Sequence, residues 1–149
     1  MTAPAAPIGP PRSRAVATWL ALVGGSLGLH RFYLHGGRDL WAWLHPWPTL
    51  VGAYGFWRMR ELGVDDARGA LLVPFLGVML AVTMLQAIVY GLAGDERWAV
   101  RHGDASAAVQ RGWLTYFGVI VALAVGTSVT VATIAFTAQR YFESRAGIT

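Results

Sequence analysis

The second half of the chain contains two long apolar runs without a single charged side chain. They extend over residues 69–94 and residues 112–139. Each run is longer than the ~20 residues that an α-helix needs to cross the hydrocarbon core of a bilayer. The pattern therefore predicts two transmembrane helices, one from Ala70 to about Leu92 and one from Trp113 to about Thr137.

The first half of the chain is apolar as well, but its apolar stretches are shorter. Residues 1–13 hold four prolines among small residues, a composition that predicts a disordered tail. The next apolar stretch, residues 15–29, is too short to cross alone, because a helix of this length reaches only ~22 Å. We expect it to continue into the residues that follow, to thin the bilayer or to pack under a neighbouring helix.

Prolines interrupt the next apolar stretch, residues 40–57. Pro46 and Pro48 lie in its middle, and proline removes a helical hydrogen bond and clashes with the preceding turn. The pattern predicts a short helix that ends near His45, a kink, and a second helix that begins at Thr49.

These elements together predict an all-α integral membrane protein with four transmembrane helices in two hairpins. The first hairpin covers residues 15–62 and the second covers residues 69–139. The loop 95–111 contains Trp98, a residue type that favours the membrane surface, so we expect this loop to be interfacial. Residues 140–149 form a tail.

Composition and charge support this interpretation. Only 13% of the residues are charged and 55% are hydrophobic, whereas an average soluble domain has about 25% charged residues. The basic residues are all arginines that flank apolar stretches, which disfavours nucleic-acid binding. Arginine counts favour both termini on the cytoplasmic side of a bacterial inner membrane, and arginine without lysine is typical of a GC-rich genome.

Signatures of catalysis are missing from the sequence. The chain has no cysteine and no lysine, its serines lack a nucleophile-elbow context, and its carboxylates lie in loops. The sequence predicts a non-enzymatic protein without a cofactor and without a metal site. A haem bound by His30 and His45 remains a weaker alternative, because these histidines are equally compatible with structural hydrogen bonds.

A compact cluster of polar and aromatic residues separates the first two apolar stretches. An arginine at a helix end can bond unpaired carbonyls, and aromatic residues favour headgroup depth. Such a turn can also dock a partner protein or bind a lipid phosphate. We expect it to contact a partner or lipid, with Asp39 as the counter-charge of Arg31, while a structural cap is the alternative. The four residues are His30, Arg31, Phe32 and Tyr33.

This turn resembles a motif of a known family. Residues 28–34 read Gly-Leu-His-Arg-Phe-Tyr-Leu, and glycine pairs precede and follow them. Members of the two-transmembrane (TM-two) domain family carry Gly-x-[His/Asp]-Arg-Phe-Tyr-Leu-Gly between paired helices and a later Gly-x-Trp motif, which residues 55–57 match. His35 stands where the family has glycine. The resemblance covers roughly residues 15–62 and implies a membrane hairpin, but no common biochemical activity.

Small residues recur at helical spacing in the first and last predicted helices. In lipid, such residues let helix backbones approach closely. Packing within the chain is the simplest role for them. The positions are Gly24 and Gly28 in the first helix, and Gly118, Ala122, Gly126 and Thr130 in the last.

Two functions remain open at this stage. The leading hypothesis is an interaction or scaffold module that acts through the His-Arg-Phe turn. The alternative is a small oligomeric channel or transporter subunit assembled through the stripe of small residues in the last helix. The expected partners are the lipid bilayer and either an unknown membrane protein or a second copy of the chain, with no nucleic acid.

Overall fold

The computed structural model describes residues 12–102 and 112–147, and 87% of these residues are helical. Most of the predicted tail 1–13 and the end of the predicted loop 95–111 lie outside the described residues. The elements are α1 (Arg14–Gly24), a 3-10 turn (Gly25–Leu27), α2 (Leu29–His35), α3 (Leu40–Leu44), α4 (Pro46–Leu62), α5 (Ala67–Leu92), α6 (Asp95–His102) and α7 (Trp113–Ala146). The prediction of an all-α protein is confirmed for this part of the chain.

Two of the described helices, α5 and α7, are long and apolar enough to cross a membrane. They have 26 and 34 residues, or about 39 Å and 51 Å of helix. Little of either apolar segment is buried inside the protein. The core helix of a soluble protein would be mostly buried, so this exposure favours contact with lipid. The expectation of four such helices is not met, since the structure has two.

The first predicted transmembrane helix falls short because the chain turns back. Gly28 adopts the left-handed conformation, with φ of +78°, between the 3-10 turn and α2. From there α2 returns alongside α1, and the backbone N–H of Ser13 donates to the Tyr33 hydroxyl at 2.9 Å. The segment Arg14–Leu27 is therefore a helix of about 21 Å followed by a reversal, not a full crossing.

The second predicted crossing consists of two helices, as the prolines indicated. α3 ends at Leu44 and α4 begins at Pro46, with His45 in helical conformation between them. The prediction placed the restart at Thr49; the structure places both prolines in the first turn of α4, where their missing N–H groups remove no helical hydrogen bond. α4 has 17 residues and ends in a charged turn, so it falls below the length and apolarity of a crossing helix.

Two ion pairs mark opposite ends of the helix bundle. At the Arg14 end, Nη2 of Arg14 lies 2.8 Å from a carboxylate oxygen of Asp95, which follows α5. At the Asp66 end, Nε of Arg58 lies 2.7 Å from Asp66, which precedes α5. Arg140 of α7 donates to the backbone carbonyl of Val64 at this second end. The first and last described residues thus lie at opposite ends of α5 and α7.

The contacts between these helices use small residues. Ala21, Met84, Ala87 and Ala122 form one buried cluster between α1, α5 and α7. Gly118 lies against Thr18 and Trp19, and a Cβ at Gly126 would come within 2.8 Å of the Met84 side chain. The stripe of small residues on α7 therefore packs against α1 and α5 of the same chain.

Candidate functional site

The His-Arg-Phe residues lie on α2, and α2 forms a corner with α3. We call residues 29–44 the α2–α3 corner. Its geometry depends on Gly28, because a Cβ at this position would overlap the backbone carbonyl oxygen of Ala42 and its φ of +78° suits glycine. The two short helices can pack this closely only because Gly28 lacks a side chain.

An ion pair closes the corner. Nε of Arg31 donates to a carboxylate oxygen of Asp39 at 2.8 Å, and the other Asp39 oxygen accepts from the N–H of Trp41 at the start of α3. The hydrogen bond from Arg31 holds the pKa of the Asp39 carboxyl below its usual value. Asp39 thus pairs with Arg31 and caps α3, and Nε of Arg31 is committed to this contact.

Phe32 and Tyr33 also make contacts within the chain. The Phe32 ring meets the Trp43 ring edge to face, with centroids 5.2 Å apart. The Tyr33 hydroxyl accepts from Ser13, and the guanidinium of Arg12 lies over the Tyr33 ring at 5.4 Å. These two residues fasten the corner to the beginning of α1 and to α3.

His30 points to the interior and has no exposed surface. Its ring centroid lies 5.5 Å from that of His45 and 5.7 Å from that of Tyr90. Gln86, one turn before Tyr90 on α5, faces the same ring. His30 therefore has no surface to offer a partner, in contrast to its predicted contact role. We call His30, His45, Gln86 and Tyr90 the histidine cluster.

The histidine cluster contains buried polar atoms without hydrogen-bond partners among the described residues. They are both ring nitrogens of His30, Nε2 of His45 and Oε1 of Gln86. Leaving such atoms unpaired in an apolar interior costs free energy. The position of Gln86 on the face of α5 that meets His30 emerges only from the fold.

Four residues of the corner are exposed and were not singled out in the sequence. Trp41 and Trp43 are 64% and 61% exposed, and His35 and Arg38 are exposed as well. Nε1 of Trp43 donates to the carbonyl of Gly37 at 3.0 Å, which fixes the orientation of its ring. We call His35, Arg38, Trp41 and Trp43 the corner face.

The Arg14 end holds a second polar arrangement that sequence reasoning missed. Arg14 is 1% exposed, pairs with Asp95 and lies over the Trp98 ring at 5.7 Å. Trp98 is buried against Ala17 and Leu34, and its Nε1 donates to the carbonyl of Arg12. Trp98 was expected on the membrane surface; α6 instead turns it into the protein, where it covers α1 and α2.

Comparison with known proteins gives no assignment: no family model, no curated protein and no solved structure matches this chain. The resemblance to the two-transmembrane domain family stays a prediction from the motif. Among the described residues, no group of three or more His, Cys, Asp or Glu side chains is arranged to hold a metal ion. The candidate site is therefore described from the geometry of this chain and not from a related protein.

Proposed function

We propose that this protein is a non-enzymatic, multi-pass membrane protein that serves as an interaction or scaffold module. Its contact surface is the corner face, and its partner is another membrane protein. The proposal retains the corner expected from the sequence but moves the contact from the inner to the outer side of α2 and α3.

One observation carries the proposal: contacts within the corner fix its shape, while large side chains of the same corner remain exposed. The Arg31–Asp39 pair, the Phe32–Trp43 ring contact and the Trp43 hydrogen bond fix its shape. Trp41 and Trp43 nevertheless remain largely exposed, and Arg38 of the same corner is exposed as well. Tryptophan and arginine are the residue types that dominate binding energy at protein interfaces, and a fixed surface binds with less loss of entropy.

Photo-crosslinking from position 41 in native membranes tests the proposal. A photoreactive phenylalanine analogue at Trp41 is expected to give a discrete adduct with a foreign membrane protein. The matched control is the same analogue at Leu123, an exposed residue on the lipid-facing side of α7, which should give only lipid adducts. If both positions give only lipid adducts, the tryptophans anchor the protein at headgroup depth. That result would overturn the proposal.

We further propose the cytoplasmic membrane of a bacterium as the location. In this arrangement α5 and α7 cross the membrane, and α3 and α4 together form a third crossing, since residues 40–62 span about 34 Å of nearly continuous helix. α1 and α2 form a re-entrant pair that enters and leaves at the Arg14 end. Irregular backbone at such depth is tolerated where protein buries it, as the contacts around Gly28 support.

The absence of cysteine from the chain makes this topology testable by single-cysteine labelling. Arg38→Cys and Glu61→Cys lie at exposed positions near the two ends of residues 40–62. A membrane-impermeant maleimide should label them from opposite sides of sealed vesicles. Labelling of both from the same side would contradict the third crossing.

A channel or transporter subunit is the second candidate, and the re-entrant pair favours it, because broken helices and unpaired polar groups at membrane depth line substrate paths in transporters. Ion or solute flux through reconstituted vesicles tests it. A bulky residue at Ala122 or Gly126 should abolish flux, but these positions pack inside the chain, so folding of each variant must be checked by gel filtration.

A further inference from the structure

The unpaired atoms of the histidine cluster converge from three separate elements. His30 comes from α2, His45 from the junction of α3 and α4, and Gln86 from α5. Each contributes at least one buried nitrogen or oxygen without a hydrogen-bond partner among the described residues. Three elements distant in sequence thus contribute buried polar atoms to one cluster, and a bound ligand would satisfy these atoms.

The hydrogen bond of His45 indicates which kind of ligand the cluster would bind. Nδ1 of His45 lies 2.6 Å from the carbonyl oxygen of Trp41. Since a carbonyl only accepts, Nδ1 carries the proton and Nε2 presents its lone pair. A metal-binding histidine characteristically donates its other ring N–H to a carbonyl in this way, which fixes both tautomer and orientation.

The distance between the two rings suits a shared ion. Two imidazoles that each bind one ion through a nitrogen at about 2.0–2.1 Å place their ring centroids about 5–6 Å apart. The His30 and His45 centroids are 5.5 Å apart. Oε1 of Gln86 supplies a third donor atom on the α5 side.

The charge around the cluster selects among the ions that imidazole binds. The cluster has no carboxylate, and nearby Asp39 is paired with Arg31. The desolvation cost of an ion rises with the square of its charge, so a singly charged ion is favoured over a doubly charged one. Imidazole is a ligand for copper, zinc, iron and nickel, and copper is the member of this set with a stable singly charged state.

We propose that His30 and His45, with Gln86 as a weaker third ligand, form a binding site for a single Cu(I) ion. The site lies between the re-entrant pair and α5. The ion would join three elements that otherwise meet through unpaired polar atoms, and its binding does not depend on the interaction function proposed above.

Anaerobic Cu(I) titration of the full-length protein in detergent, in competition with a chromogenic Cu(I) chelator, tests the site. The purification tag must contain no histidine. One Cu(I) per chain is expected, and His45→Ala should weaken binding at least about 100-fold, because it removes a direct ligand. Gln86→Leu should weaken it by about tenfold. The matched control is His35→Ala, which removes an exposed histidine of the same corner.

Each other result overturns the assignment. If Cu(I) does not bind stoichiometrically, the assignment is wrong, and ordered water would be the hydrogen-bond partner of the cluster. Loss of binding in His35→Ala would identify a surface site, and tighter binding of Zn(II) than of Cu(I) would overturn the choice of ion. X-ray absorption of the copper-loaded protein needs no variant: imidazole scattering from two histidines is expected, and its absence contradicts the site even if His45→Ala fails to fold.

Discussion

α5 and α7 pack through small side chains, whereas α1 and α2 combine such packing with polar contacts at the Arg14 end. Gly77 faces Thr133 and Gly126 faces Met84 between the two long helices. The re-entrant pair shares this packing through Ala21 and adds the Arg14–Asp95 ion pair, the Ser13–Tyr33 hydrogen bond and the Trp98 side chain. In lipid, close packing of small residues stabilises a helix pair along its whole length. A polar contact acts at one point, so the re-entrant pair is the region that a single substitution can detach.

The largest effect is expected from Gly28→Ala. The added methyl group would overlap the Ala42 carbonyl oxygen, and the left-handed conformation disfavours any side chain. We expect a loss of about 3 kcal/mol in the free energy of unfolding, measured in detergent. The re-entrant pair should become sensitive to protease while α5 and α7 stay protected.

Gly147→Ala is the matched control for this variant. Gly147 is left-handed like Gly28, with φ of +69° and ψ of 27°, but no atom lies within 4 Å of its ideal Cβ. Its substitution should cost only about 1 kcal/mol for the backbone strain. Equal losses for the two variants would show that the overlap with Ala42 has no influence on stability.

A smaller effect is expected from Arg14→Gln. This change leaves the Asp95 carboxylate without its arginine, removes the cation from the Trp98 ring and exchanges a buried charge for a neutral amide. Since Asp95 is partly exposed, water compensates some of the loss, and we expect about 2 kcal/mol. Hydrogen exchange should rise in α1 and α6 and stay unchanged in α7. Arg97→Gln, an exposed residue of the same α6, should leave both unchanged.

The smallest effect is expected at the Asp66 end of the helix bundle, and it depends on pH. Arg58 donates two hydrogen bonds to Asp66, which also caps α5, and these contacts lower the pKa of the Asp66 carboxyl. A lowered folded-state pKa means that Asp66 stabilises the protein above its unfolded pKa, about 4. This stabilisation is lost as the pH falls through the folded-state pKa.

Thermal unfolding of wild type and Asp66→Asn between pH 7 and pH 3 measures this contribution. The two unfolding temperatures should differ at pH 7 and converge toward pH 3. The neighbouring exposed Asp65→Asn is the control, and it should follow the wild-type curve. A difference between wild type and Asp66→Asn that grows on acidification would contradict the assigned sign.

The long helices were predictable because their signals are local. The uncharged run that predicted a helix from Ala70 to Leu92 corresponds to α5, which begins three residues earlier because Asp66 caps it. α7 starts at Trp113 as predicted but continues to Ala146, beyond the predicted end at Thr137. Charged residues limit the length of a segment that can cross a membrane, but they do not end a helix.

The re-entrant pair was not predictable in the same way. Residues 15–29 are apolar, and His30 and Arg31 follow directly, so the pattern resembles one helix that ends in a surface turn. The reversal depends on contacts distant in sequence, such as Ser13 with Tyr33 and His30 with Tyr90. Of the predicted turn, the Arg31–Asp39 pairing could be inferred from spacing, but the burial of His30 could not, because α5 is what covers it.

The contacts that hold the beginning of α1 have a consequence for biosynthesis. Arg14 and Arg12 are bound by Asp95 and Trp98, which follow them by 81 and 86 positions. At a synthesis rate of about 5–20 residues per second, α1 leaves the ribosome roughly 4–17 s before these partners exist. During that interval the nascent α1 lacks these contacts. Docking of α1 through these contacts therefore follows the synthesis of α5 and α6, although α1 itself is made before them.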